Sequence, residues 1–136
     1  MNDLLYIVDK RYNLIIHYEE YQTLVDTSLK KFLNELCLQE YTTLEGRIKA
    51  IKHLFNFKNN PPLYINQHII LVKVLTKDDI YWINVYNIVD IVKVNSYQTK
   101  IIFKDNSTLL INKDKNSVIK SFKKARLIIN QQNCDK

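Results

Sequence analysis

The sequence predicts an α+β fold: an N-terminal β-hairpin and two helices, then an antiparallel five-stranded twisted sheet or small barrel closed by a C-terminal helix. Three observations carry this. Short β-branched runs recur at both ends of the chain. Two stretches between residues 29 and 55 repeat apolar residues at helical spacing. From Leu63 onward, strand-like runs alternate with turn residues until a last helical stripe.

Leu4 to Val8 reads as a buried strand, Asp9-Lys10-Arg11 as a turn, and Tyr12 to Tyr18 as the second strand of a hairpin. Asp26 is placed to N-cap a helix whose face is Leu29, Phe32, Leu33 and Leu36. Thr42 with Glu45 has capping-box spacing and opens a helix with Leu44, Ile48, Ile51 and Phe55 on one side. Asn59-Asn60-Pro61-Pro62 stops that helix, since neither proline continues it. It divides one domain, residues 1–136, into a hairpin-plus-helices lobe (1–60) and a sheet-plus-helix lobe (61–136). Leu63 to Ile65, Ile69 to Leu75, Ile80 to Asn84 and Ile88 to Val94 read as strands. Thr99 to Lys104 and Ser107 to Asn112 flank Asp105-Asn106, a two-residue hairpin turn. A last helix runs from about Lys115 to Ile129, with Val118, Phe122, Ala125 and Ile129 as its stripe.

Composition excludes several functions. The 136 residues hold one glycine, which rules out Gly-rich phosphate loops. Two cysteines without a CxxC exclude a cysteine metal knuckle and argue for a reducing compartment. The longest apolar run, Ile69 to Val72, does not span a membrane, and Asp3 interrupts any secretory signal. His17, His53 and His68 have no metal-ligand spacing, and Glu19-Glu20 and Asp78-Asp79 read as solvated turns. Cys37 reads as a small buried hydrophobe. No metal, cofactor, small-molecule substrate or catalytic set is expected, so the protein reads as no enzyme.

Lys and Arg number 20 against 14 Asp and Glu, a net charge of +6. Ile, Lys and Asn, with 18, 17 and 15 copies, have AT-rich codons, so part of that charge reflects genome composition. The position of each cation therefore matters more than the sum. Gly46 sits in the first turn of a predicted helix, where glycine costs about 1 kcal/mol against alanine. Either a close packing contact or a backbone N–H approaching a phosphate accounts for it. Arg47 is one of three arginines, so its forked donor serves an anion or a structural ion pair. Lys49 and Lys52 extend the same helix. Lys93, Lys100 and Lys104 are expected to share one strand face, and Lys120, Lys123 and Lys124 to crowd the closing helix. Trp82 reads as core.

The run Leu44 to Ala50 (LEGRIKA), Pro61-Pro62-Leu63, Tyr81-Trp82-Ile83-Asn84 with Ile88, and Thr99 to Phe103 (TKIIF) with Ser117 resembles the competence transcription factor (ComK) family of low-GC Gram-positive bacteria. The resemblance covers about residues 4–129. It implies a cytoplasmic, sequence-specific activator that binds double-stranded AT-rich promoter DNA as a homodimer or higher oligomer. The likeness aligns Gly46 and Arg47 with the family's Gly-Arg pair; their contact with DNA is an expectation of ours. Lys49, Lys52, Lys93, Lys100, Lys104, Lys120, Lys123 and Lys124 complete the expected DNA-binding set. Leu71 to Thr76 lacks the family's Phe-Pro-Thr element, and longer members continue beyond the final helix. The competing expectation is a protein-interaction module that pairs with a full-length relative and does not itself bind DNA.

Overall fold

A computed structural model describes residues 3–58 and 60–134. The fold is α+β, and the described residues form two sheets and four helices with no closed barrel. In chain order the elements are β1 (Leu4–Asp9), β2 (Leu14–Tyr18), β3 (Tyr21–Val25), α1 (Leu29–Leu38), α2 (Leu44–Phe55), β4 (Leu63–Asn66), β5 (Ile69–Leu75) and β6 (Ile80–Asn84). A 3-10 turn, Val85–Asn87, leads to β7 (Ile88–Asn95), β8 (Gln98–Phe103), β9 (Thr108–Ile111), α3 (Lys115–Ser121) and α4 (Lys123–Cys134).

The strands do not form the expected five-stranded sheet. Six of them pair in the order β3-β2-β1-β6-β5-β4, and β7-β8-β9 form a second sheet. β1 lies antiparallel to both β2 and β6, so the larger sheet draws on both halves of the chain. It is buried on both faces, which explains why β1 and β5 read as apolar runs without clean alternation. One face packs Ile7, Ile16, Ile65 and Leu71 against Leu33 and Cys37 of α1 and Leu44 of α2. The other packs Tyr6, Val72 and Ile83 against Ile101, Phe103 and Ile111 of the small sheet and Val118, Phe122 and Ile128 of α3 and α4.

Several boundaries differ from expectation, each for a local reason. Ser28, not Asp26, caps α1, its side chain accepting from the Lys31 N–H. Thr43, not Thr42, caps α2, and its hydroxyl accepts from the Gly46 N–H. α2 ends at Asn56, which takes the left-handed conformation at φ 56°, before the prolines are reached. Asn59 of the expected stop lies outside the described residues. Tyr21–Val25, unforeseen, is an edge strand exposed along most of its length, so it shows no half-buried alternation. The closing helix is two helices, broken at Phe122. The β8–β9 turn spans residues 104–107, with the Phe103 N–H donating to the Ser107 carbonyl, so Lys104 lies beyond the strand.

Two buried asparagines tie the layers together. The Asn84 amide donates to the carbonyls of Leu4 and His68, both at 2.9 Å, and its oxygen accepts from the Ile70 N–H at 3.1 Å. Asn87 donates to the same Leu4 carbonyl at 2.7 Å. Asn84→Ala strands the Ile70 N–H and His68 carbonyl inside, a loss of about 2–4 kcal/mol. Urea denaturation should show it as a lower midpoint at unchanged slope.

Tyr6 is enclosed by rings, stacked on His17 at 4.1 Å and on Phe103 at 5.5 Å. Burial pushes its phenol up to about 12 from the ordinary 10. The folded state thus holds this proton where the unfolded chain releases it, so the contribution is intact below pH 10 and lost progressively as pH rises towards 12. Tyr6→Phe should flatten the stability profile in that window, measured by denaturation at stepped pH.

Candidate nucleic-acid interface

The lysines are best located from the end of β4. That strand begins at Leu63, opposite Leu71, so Lys73 to Leu75 of β5 run on past it. Pro61 and Pro62 precede β4 there and have no N–H to pair with the open edge. A cleft of about 390 Å³ results, lined by Asn60, Pro61, Pro62, Lys73, Trp82, Lys113, Lys120 and Lys124 among others. Four lysines from β5, the loop after β9, α3 and α4 face it, and among the described residues no carboxylate does. The Lys113 ammonium donates to the Leu75 carbonyl at 3.2 Å, capping part of the open edge. The Lys124 ammonium lies 5.3 Å from the centre of the Phe57 ring. Trp82, expected in the core, is only half-buried: it packs at the margin of the core, its indole N–H is enclosed without an acceptor, and it forms part of the cleft.

Of the expected residues, the cleft unites Lys120 and Lys124. Lys123, next in sequence, is exposed and does not line it. Lys73 and Lys113 were not singled out by sequence, although Lys73 interrupts an otherwise apolar strand, a visible signal.

The expected shared face of Lys93, Lys100 and Lys104 does not form. Lys93 pairs across the ladder with Thr99, whereas Lys100 pairs with Val92, so the two leave opposite faces of the hairpin. Lys104 bonds Asp3 and lies 3.1 Å from Glu19. Those carboxylates raise the Lys104 ammonium's pKa, and Lys104 in turn holds the Asp3 carboxyl below its ordinary value.

On α2, no other helix or strand crowds Gly46, so the expected close helix–strand or helix–helix approach is not there. The glycine is exposed, its N–H is taken by Thr43 at 3.0 Å, and an added Cβ would sit 3.1 Å from the Thr43 hydroxyl. An added side chain there would need only a small shift of the Thr43 hydroxyl. Lys49 makes a surface pair with Glu45 at 3.5 Å, and Lys52 lies exposed in the last turn. Arg47 is half-buried, its guanidinium 5.3 Å from the Tyr64 ring centre and its Nε enclosed without an acceptor. The Tyr64 hydroxyl accepts from Gln132 of α4 at 2.8 Å. Lys124, Ile128 and Gln132 recur on one side of α4, with Gln132 about 12 Å along that helix from Lys124 of the cleft.

The sequence matches the ComK protein family over residues 6–133, nearly its whole length. The chain belongs to the ComK family. This is a family of competence transcription regulators, as the resemblance of the Gly-Arg, Pro-Pro and Trp-Ile segments implied. No curated protein and no solved structure matches the chain. Among the described residues, no helix of this ComK-family chain is long and apolar enough to cross a membrane.

A guanidinium with an enclosed, unbonded Nε is not a stabilising choice for this position. Arg47→Met keeps the length of the side chain and removes the orphaned donor, offsetting the lost ring contact. Its stability in chemical denaturation should stay within about 1 kcal/mol of the parent. A larger loss would assign Arg47 to the architecture.

Proposed function

We propose that this ComK-family chain is a cytoplasmic transcription regulator that grips double-stranded AT-rich promoter DNA in the cleft of Lys73, Lys113, Lys120 and Lys124. One observation carries the reading: four cations from four segments converge on one cleft that, among the described residues, no carboxylate lines. The flanking helices strengthen it. From Lys115 to Cys134 the chain has Lys115, Lys120, Lys123, Lys124 and Arg126 and no acidic residue. Such a surface binds phosphates by releasing their counterions.

Arg47 is the second element of the proposal. Its guanidinium is oriented by Tyr64 and has no carboxylate within ion-pair reach among the described residues. A narrow A·T-rich groove carries enhanced negative potential, and a pre-oriented arginine suits it. Lys49, Lys52 and Lys123 lie on the same helices as Arg47 and the cleft lysines and serve as outer phosphate contacts. Gly46 acts only through its cap, and Lys104, held by two carboxylates, stays out of the grip. Assembly as a homodimer or higher oligomer would place two such clefts on one promoter.

A salt-titrated gel shift tests this, with AT-rich duplex against GC-rich competitor. Lys113→Gln, Lys120→Gln and Lys124→Gln should each weaken binding to all sequences and lower the salt slope by about one. Arg47→Met should cost about 1–3 kcal/mol of binding and relax the AT preference. Absence of specific binding at every ionic strength would favour the protein-interaction module.

A further inference from the structure

The end of the β7–β8 hairpin has features that folding alone does not require. The Asn95 side chain accepts from the Tyr97 N–H at 2.8 Å and donates to Gln98 at 3.1 Å. Gln98 donates in turn to Asn112 at 2.9 Å, and the Thr99 hydroxyl donates to the Lys113 carbonyl at 2.7 Å. The tip is thus fastened to the residue that lines the lysine cleft. Tyr97 itself is 80% exposed, with Val94 beside it 48% exposed. Exposure alone decides nothing, since Tyr12 is 86% exposed on a turn of the other sheet. The charge around Tyr97 is what differs. From Ile91 to Lys104 the chain has no carboxylate, and Lys93 and Lys100 leave the hairpin on opposite faces. A protein element that enters a DNA groove stands between two phosphate walls, so cations on both its faces are suited to that place and to no single flat surface.

We infer that the β7–β8 tip is a second DNA contact, with Lys93 and Lys100 facing the two phosphate strands and the Tyr97 ring laid against the bases between them. The inference rests on the DNA reading above and adds a contact made by ring and not by charge. Apolar contact of a ring with base edges and sugars is uncharged, so its loss weakens binding without releasing fewer counterions.

The experiment is a gel shift on AT-rich duplex at two salt concentrations with the full chain. Tyr97→Ala should bind about tenfold more weakly with the salt slope of the parent. Tyr97→Phe, which keeps the ring, should bind as the parent does, and so should Tyr12→Ala. Parent-like binding by Tyr97→Ala, a reduced salt slope, or a Tyr97→Phe protein as weak as Tyr97→Ala overturns the tip contact alone. Failure of the parent to prefer AT-rich duplex overturns the DNA reading and the tip contact together.

Discussion

The carbonyl of Leu4 is the point on which this architecture is hung. It lies beside a register shift in β1, between Leu4 and Tyr6, where the ladder is interrupted. A buried carbonyl at such a break needs a donor from elsewhere. Two arrive, from Asn84 at the end of β6 and Asn87 at the end of the turn that follows. Asn84 also holds the Ile70 N–H and the His68 carbonyl, which sets β5 against β6. The Asn87 backbone carbonyl accepts from the Lys104 N–H at 3.0 Å, reaching the small sheet. The Leu4 carbonyl, two carboxamides and the Asn87 backbone carbonyl therefore connect β1, β5, β6 and the far end of β8. A buried polar group whose bonds are all made specifies a single arrangement, because any slip leaves a donor or acceptor unpaired.

The position of the cleft follows from that arrangement. With the small sheet fixed over the large one, β9 ends near the end of β5, and Lys113 reaches the Leu75 carbonyl. α3 then starts at Asp114, whose carboxylate accepts from the Ser117 N–H at 3.0 Å and sets the helix direction. Val118 and Phe122 are fully buried under the sheet, which leaves Lys120 and Lys124 facing the cleft. The cations are exposed because the apolar residues between them are not. The proposed DNA surface is in this sense the polar remainder of a packed helix pair.

Strand identity was legible in the sequence where runs were long and apolar. β5 and β6 have the predicted limits, and β1 and β7 run one residue further. Pairing was not legible. Nothing local distinguishes β6, which joins β1 across the chain, from β7, which starts a second sheet after one 3-10 turn. The decisive residues are Asn84 and Asn87, which look like turn formers and serve as core polar anchors. Helix existence was readable from the apolar stripes, whereas caps shifted by one or two residues because Asp26, Thr42 and their neighbours all have capping chemistry. At the site, Lys120 and Lys124 were readable from the clean stripe of Val118, Phe122 and Ala125. The shared face of Lys93, Lys100 and Lys104 was not, since it depends on the β7–β8 register, which sets Lys93 opposite Thr99, and on the distant carboxylates of Asp3 and Glu19 that hold Lys104.

Net charge was the weakest guide, and the reason is spatial. Lysine abundance in this chain is inflated by codon composition, so a sum of +6 does not separate a selected surface from a solvated one. Lys10 with Asp79 at 2.8 Å and Lys104 with Asp3 and Glu19 are spent on local carboxylates. At about 8 Å, the screening length in physiological salt, a carboxylate within the same cluster cancels most of a lysine's reach toward a phosphate. Where four lysines line one cleft without an acid among the described residues, their fields add at its mouth, and a bound phosphate would displace counterions there. The grouping of lysines along one cleft whose lining holds no carboxylate among the described residues, and not the total, is what the proposed DNA contact draws on.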